Sequence, residues 1–343
     1  MKPKIRTPQA CGIVLLVTAM ALILGTMPVS AFTITDDTGT TISFNATPSR
    51  IVSLSPSNTE ILAALGLLDR LVGVTEVCDY PPEVKNKTRI GGYSAISIEK
   101  VAAARPDLVI ASDLTPRETT NRLREIGLPV VVVAPRNIDH VIRDIRMVGE
   151  ITGTKTRADE LASELSRRIT AALPSPLPEY RPTIAQIVWH KPLYVSGNNT
   201  LQNDVIVHAG GVNVFSDRSG WGTVSLEELL LINPDIIIVS GGGGMDSAGK
   251  DLILEEFMTN PQYVSLSAVK NNHVYAVNAN IISRPGPRIA DAAEEVSRII
   301  RTVEEECTAS QPVTAPESAA TTPGFTTIAA ALGLLAIVAG MKK

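Results

Sequence analysis

Five aromatic side chains, two arginines and two glutamates stand where chemistry is possible. Tyr80 and Tyr93 fall in loops of the first half, and Trp189, Tyr194 and Trp221 in the second. Aromatics make up 4% of the chain and only 2 residues are tryptophan, so their clustering is informative. Rigid rings on loops or strand ends suit stacking and van der Waals contact at small entropic cost. Trp221, between Ser219-Gly220 and Gly222-Thr223, is the best placed for that role, whereas Trp189 continues the apolar run Ile184–Val188 and reads as core. Arg284 and Arg288 flank Pro285-Gly286-Pro287. A guanidinium fork there either binds carboxylate and amide oxygens or pins the loop. Glu99 and Glu227 each lie two residues after a serine that can cap a helix. A carboxylate in a first helical turn complements the helix dipole by about 0.3–1 kcal/mol.

Other chemistries are poorly supplied. The 4 histidines, His140, His190, His208 and His273, show no paired spacing and no neighbouring carboxylate cluster. A zinc or manganese site needs several converging ligands. His190, beside Trp189, either approaches a bound molecule or is satisfied structurally. No Ser-His-Asp or Cys-His set is suggested, and no G-x-S-x-G occurs. Gly244 to Lys250 fits G-x-x-x-x-G-K, but Asp251 replaces the magnesium-binding hydroxyl and would set a negative charge beside phosphate. The expectation is a protein that is no enzyme, carries no cofactor and holds no bare metal.

The elements that position these residues are duplicated. Residues 97–112 read SIEKVAAARPDLVIAS and residues 225–240 read SLEELLLINPDIIIVS. Each copy predicts a short helix capped by Ser97 or Ser225, a turn at Pro-Asp and a strand. The strand runs Leu108–Ala111 and Ile236–Val239 lack alternation, as do strands covered on both faces in parallel sheets. Around them the pattern predicts a hairpin of Thr33–Thr35 and Thr41–Phe44, strands Arg50–Leu54, Val130–Val133 and Thr183–Val188, a helix Thr59–Leu65 ended by Gly66, and Val205–His208 in a helix ended by Gly210-Gly211. The fold class is therefore α/β: two similar lobes with mostly parallel sheets. Ile138–Ile151 and Thr156–Ala172 are helical in pattern, the second roughly 26 Å long at the usual rise. One long helix joins the lobes at 151–178, with the ligand cleft between lobe 32–150 and lobe 179–307.

Both ends lie outside that fold. Lys2, Lys4 and Arg6, the apolar run Ile13–Leu24 and Val29-Ser30-Ala31 predict a secretory signal peptide over 1–31. Thr308–Thr322, rich in Pro, Ala, Ser and Thr, reads as a tether extending to 325 with Pro323-Gly324-Phe325, before an apolar tail over 326–343 that ends in two lysines. Those features place the folded part on the extracellular side of the cytoplasmic membrane, anchored at its C-terminus. A net charge of −4 without a basic run argues against nucleic acid, and 44% hydrophobic residues exclude disorder of the whole chain. Cys78 and Cys307 are the cysteines of the mature chain, and nothing in the pattern says that they pair. Asn45, Asn86 and Asn198 head glycosylation sequons.

Arg50-Ile-Val-Ser-Leu-Ser-Pro-Ser-Asn-Thr-Glu60, Asp79-Tyr-Pro-Pro82, Ile98-Glu99 and Arg105-Pro-Asp-Leu-Val-Ile110 resemble the helical-backbone periplasmic binding proteins for cobalamin and iron-siderophore complexes. Ser196-Gly197, Asn203, Gly210-Gly211 and Asn213-Val-Phe215 extend the resemblance, which covers residues 32–306. Cys78-Asp79-Tyr80-Pro81-Pro82, Trp221 before Ser225-Leu-Glu227, and Pro287-Arg288-Ile289 are most similar to the cobalamin branch. Three positions depart from it: Ser112-Asp113 stands for a cleft tryptophan, Asn280 for an aspartate and His208 for a cysteine. The tail resembles the sorting signal of archaeal surface proteins. The resemblance implies a monomeric substrate-binding protein that delivers a corrinoid, or else a ferric siderophore or haem, to an ABC permease and its ATPase subunits. An adhesive or structural surface role is the alternative from another class. Tyr80, Tyr93, Tyr194, Trp221 and Arg288 are then the expected ligand contacts, the rings lying against a flat macrocycle, and Glu99 and Glu227 the knobs that meet permease arginines.

Overall fold

The structure is a computed structural model describing residues 31–92, 94–175, 180–242 and 251–309. Tyr93, most of the expected signal peptide, Pro176 and Pro178, Gly243–Lys250, the expected tether after Ala309 and the tail lie outside the described residues, as does the side chain of Cys307. The backbone of Thr308 and Ala309, expected as tether, is helical. Among the described residues no helix is long and apolar enough to cross a membrane.

Strands β1 (Phe32–Thr35) and β2 (Thr41–Phe44) form the expected antiparallel hairpin, with Phe32 opposite Phe44. The first lobe then builds a four-stranded parallel sheet from β3 (Ile51–Ser53), β4 (Leu71–Val74), β5 (Leu108–Ser112) and β6 (Val130–Val133), in the order β4-β3-β5-β6. Its helices are α1 (Pro56–Ala64), α2 (Ile98–Ala103) and α3 (Arg117–Glu125). Helix α1 begins earlier than the apolar pattern indicates, because Ser55 caps it through the Asn58 amide and Pro56 suits the first turn. It ends at Gly66, whose φ of +76° lets Leu67 N–H reach the Leu62 carbonyl at 2.9 Å.

Helices α4 (Ile138–Ile151) and α5 (Lys155–Ala172) lead to the second sheet. There β7 (Thr183–His190), β8 (Leu193–Ser196), β9 (Val212–Asn213), β10 (Trp221–Thr223), β11 (Ile236–Gly241) and β12 (Val274–Asn278) form a six-stranded sheet. Strands β9 and β11 run parallel with β7, and β12 with β11, whereas β8 alone is reversed and pairs antiparallel with both β7 and β10. The remaining helices are α6 (Leu201–His208), α7 (Leu226–Ile232), α8 (Leu252–Thr259), α9 (Ser267–Lys270), α10 (Ala279–Ile282) and α11 (Ile289–Ala309).

The non-alternating strands are covered on both faces. In the first sheet Ile51, Leu108, Ile110, Val131 and Val133 point to one core, and Val52, Val109, Ala111 and Val130 to another. In the second, Ile184, Ile236 and Ile238 join the first of these cores, while Ala185, Ile187, Ile237 and Val239 face a third. The inner faces of both sheets thus share one core, filled between them by Ile145 of α4, Leu165 of α5 and Val296 of α11 among others. Each such side chain contributes about 1.5–3 kcal/mol on burial. Arg168 of α5 adds bonds of 2.6–2.8 Å to Asp291 and Glu294 of α11. The linking helix is therefore packed along its length rather than a bare rod.

The Pro-Asp turns of the two repeats share a further job. Asp107 accepts the Ser49 and Arg50 amides at 2.7–3.0 Å. Asp235 accepts the Thr183 amide at 2.8 Å and its hydroxyl. Each aspartate, one residue before its own strand, ties down the entry of the neighbouring strand.

Candidate functional site

Side-chain direction in the second sheet follows from its register. Leu193 and Val195 of β8 face the third core, so Tyr194 and Ser196 face the opposite side. Tyr194 is paired with Trp189 on one flank and Thr223 on the other, and Trp221 is opposite Ser196. Directly paired residues share a face, so Trp189, Tyr194 and Trp221 lie on one surface. That surface is the continuation, toward the carboxyl end of β7, of the face that Ile184, Ile236 and Ile238 turn into the shared core. In α/β sheets ligands bind beyond the carboxyl ends of strands.

All three rings are accessible: Trp221 is 51% exposed, and Tyr194 and Trp189 are each 37% exposed. Trp189 does not fill the core, contrary to the expectation. The register slips between Ile187 and Trp189, and this bulge turns the ring away from the Ile187 face and onto the face of Tyr194. Its indole N–H donates to the Lys191 carbonyl at 3.0 Å, and its ring lies 4.9 Å from that of His190. Burial holds His190 below the usual histidine range, against the Glu256 charge that raises it, and Nδ1 is buried without a partner. Gln186 and Ser196, neighbours on this same face, are fully buried and carry unpartnered oxygens.

Tyr80 belongs to a second cluster. It lies on the loop after β4, 44% exposed, with the Arg288 guanidinium 4.1 Å above its ring centroid. That guanidinium is engaged edge-on by Glu60 of α1, through Nε to Oε2 at 2.9 Å and Nη2 to Oε1 at 2.6 Å. Arg284 donates to Glu60 Oε1 at 3.1 Å and to Asp79 Oδ1 at 2.6 Å. The sequence offered Arg288 two roles, ligand contact or loop pin, and the observed partner is a carboxylate of the other lobe. Glu60 was not singled out. Its signal was an acid inside an otherwise buried helix start, Ser57–Leu62, which needs a countercharge from elsewhere in the chain.

The quartet is neutral: two carboxylates face two guanidiniums. Burial alone would raise Asp79, yet the hydrogen bond and charge of Arg284 hold it below the usual carboxylate range. The Glu60 hydrogen bonds push Arg288 above the usual arginine value. Glu60 is 2% exposed and the arginines 17–19% at their side chains. Removing one partner from a pair this buried costs about 3–5 kcal/mol. Among the described residues no hydrogen bond or ring contact joins this cluster to the aromatic face.

Glu99 and Glu227 lie apart from both clusters, exposed in the first turns of α2 and α7. Ser97 and Ser225 cap those helices as expected, accepting the Lys100 and Glu228 amides at 3.2 and 3.1 Å. Each glutamate is held below the usual range, first by its own backbone N–H and then by the capping serine. Both are solvated, ionised carboxylates. Among the described residues no three His, Cys, Asp or Glu side chains converge as a metal site would require.

Residues 51–281 match the model of the family described as periplasmic binding protein. The chain is 30% identical over 276 residues to an uncharacterized ABC transporter substrate-binding lipoprotein of Bacillus subtilis, spanning 78% of this chain and 85% of that one. It is similar to the crystal structure of the periplasmic vitamin B12 binding protein of Vibrio cholerae, with a TM-score of 0.66 and 28% identity over 75% of this chain and 98% of that one. A periplasmic heme-binding protein of Roseiflexus gives a TM-score of 0.66 at 27% identity, covering 74% of this chain and 98% of that one.

Proposed function

The chain belongs to the periplasmic binding protein family, and from that premise we propose that it captures a corrinoid such as cobalamin outside the cell and hands it to an ABC importer. The family is one of solute-binding proteins, so the chain is a transport component and no enzyme. The observation that carries the ligand class is the contrast between the two clusters. The aromatic face offers Tyr194 and Trp221 as accessible rings. Arg284 and Arg288 are already neutralised by Glu60 and Asp79. Such a surface suits a large, flat ligand with a neutral amide rim. Ferric siderophores rich in carboxylate, or the propionates of haem, favour arginines whose charge is free.

In this reading Tyr80, Tyr194 and Trp221 touch the ligand, and the expected contact of Tyr93 belongs to the same proposal. Arg288 serves the site through Tyr80, and Glu99 and Glu227 meet the permease. Export by the leader and anchoring by the tail belong to the same proposal, and the intact mass of the native mature chain tests both. Calorimetric titration of the purified protein with cobalamin, a ferric siderophore and haem tests the ligand. One-to-one cobalamin binding that loses about 2 kcal/mol or more in Trp221→Ala is expected. A response to haem or the siderophore alone overturns the corrinoid assignment and keeps the transport role.

A further inference from the structure

The buried carboxylate of Glu60 has no place in the ligand reading, yet it is the most heavily engaged acid near the site. Both of its oxygens are used, and all three bonds come from residues 224 and 228 positions later in the chain. The guanidinium of Arg288 is thereby fixed on its edge by Glu60 and lies with its face over Tyr80. A fork-on-fork pair allows one orientation only, so the plane of the guanidinium is set by the carboxylate. The plane in turn sets the ring, since a cation attracts an aromatic face at this separation. Arg284 holds Asp79, the residue before Tyr80, at 2.6 Å, and so fixes the backbone on the same side. Between the two arginines Pro285 and Pro287 restrict the loop, leaving little freedom for either to drift.

We infer that Glu60 is the positioning residue of this site: without touching the ligand, it holds Arg288 and Arg284 across the two lobes and so presents Tyr80 in one fixed orientation. The inference rests on the proposed ligand role of Tyr80. Two consequences follow. The carboxylate links α1 to the segment after β12, so the first-lobe wall is set in register with the second lobe before any ligand arrives. Binding then incurs little ordering cost at Tyr80, which is how a preorganised wall raises affinity.

The test uses cobalamin as the titrant and the complete mature protein. Glu60→Gln keeps the size of the side chain and removes its charge, and is expected to weaken cobalamin binding about tenfold. Tyr80→Ala weakens it by a similar factor, and the double variant is no weaker than Tyr80→Ala alone, because Glu60 acts through the ring. Losses that add in the double variant, or unchanged affinity beside a lowered Tm, overturn the inference and leave a merely structural pair. A second measurement needs no ligand: the 19F resonance of 3-fluorotyrosine at position 80, assigned with Tyr80→Phe. It is expected to move toward the value of a free exposed tyrosine in Glu60→Gln, and an unmoved resonance overturns the inference whatever the ligand proves to be. Arg288→Lys preserves the charge balance and removes the fork. It should shift the same resonance even where Glu60→Gln does not fold. Absence of cobalamin binding by the parent protein with a shifted resonance sinks the ligand reading alone.

Discussion

The units at 97–112 and 225–240 share their caps, turns and strands, but not what they leave at the surface. Ser97 and Ser225 cap in the same way, and Asp107 and Asp235 each fasten the entry of an adjacent strand. Beyond the first turn they diverge. The residue before the proline has left-handed backbone in both copies, Arg105 at φ 47° and Asn233 at φ 48°. Asparagine tolerates that region through its short polar side chain, and arginine does so poorly. Asn233 also exchanges hydrogen bonds of 2.7–2.8 Å with Ser267, and Leu231, one turn after Glu227, is 87% exposed. The corresponding position after Glu99 is Ala103. Equal local folding is therefore compatible with unequal surfaces, since the local pattern governs the backbone and the neighbours govern the rest.

The sharpest break in the comparison is functional. Reversing both knobs, Glu99→Arg with Glu227→Arg, should abolish uptake by a reconstituted importer while ligand affinity stays within about twofold. A fall in affinity would remove the docking assignment. If the single reversals differ in uptake, the apolar surround of Glu227 contributes to docking; equal losses leave the knobs equivalent.

Next in size is the loss of a strand-entry aspartate. Asp107→Ala and Asp235→Ala should each cost about 1.5–3 kcal/mol in denaturant unfolding, as expected for hydrogen bonds to a charged group. A loss in one copy alone would show that the turns are not equivalent. For Asp235 the pH dependence is also determined. Burial by itself raises its pKa, but the Thr183 and Tyr180 hydrogen bonds outweigh this and lower it. A lowered folded pKa means stability that is present above about pH 4, the unfolded value, and lost as pH falls through the folded one. The gap between the parent and Asp235→Asn should accordingly narrow on acidification.

The smallest effects come from exchanging the left-handed residues. Arg105→Asn is expected to stabilise by up to about 1 kcal/mol through relief of backbone strain. Asn233→Arg should destabilise by more than that, because it also forfeits the Ser267 bonds. Leu231→Ser, at an exposed position, should stay within about 0.5 kcal/mol in the free protein.

Much of the fold was legible in the chain. The duplicated pattern gave the two capped helices, and the runs without alternation gave β5 and β11, both covered on two faces. Helix α1 starts ahead of the expected Thr59, because Ser55 caps before the apolar residues that carry the periodicity, and the span Val205–His208 is the last part of a helix that Thr200 caps. Of the proposed ligand contacts, Trp221 stands out in the sequence by its glycine context and rarity, and only the strand register shows that it shares a sheet face with Tyr194. Trp189 departs from the core position that the apolar run implies because a one-residue bulge reverses side-chain direction, and no local pattern marks where a strand slips.

By itself the sequence determined the caps, the turns and the strands buried on both faces, since these follow from interactions within a few residues and from hydrophobic period. Only the tertiary structure decided which charges meet. Glu60, Asp79, Arg284 and Arg288 come from segments more than two hundred residues apart on either side of the pairing. A salt bridge depends on the position of two side chains in space, and each of the four has several possible partners along the chain. The shared core of α4, α5 and α11 selects one set by holding the lobes where those four groups coincide.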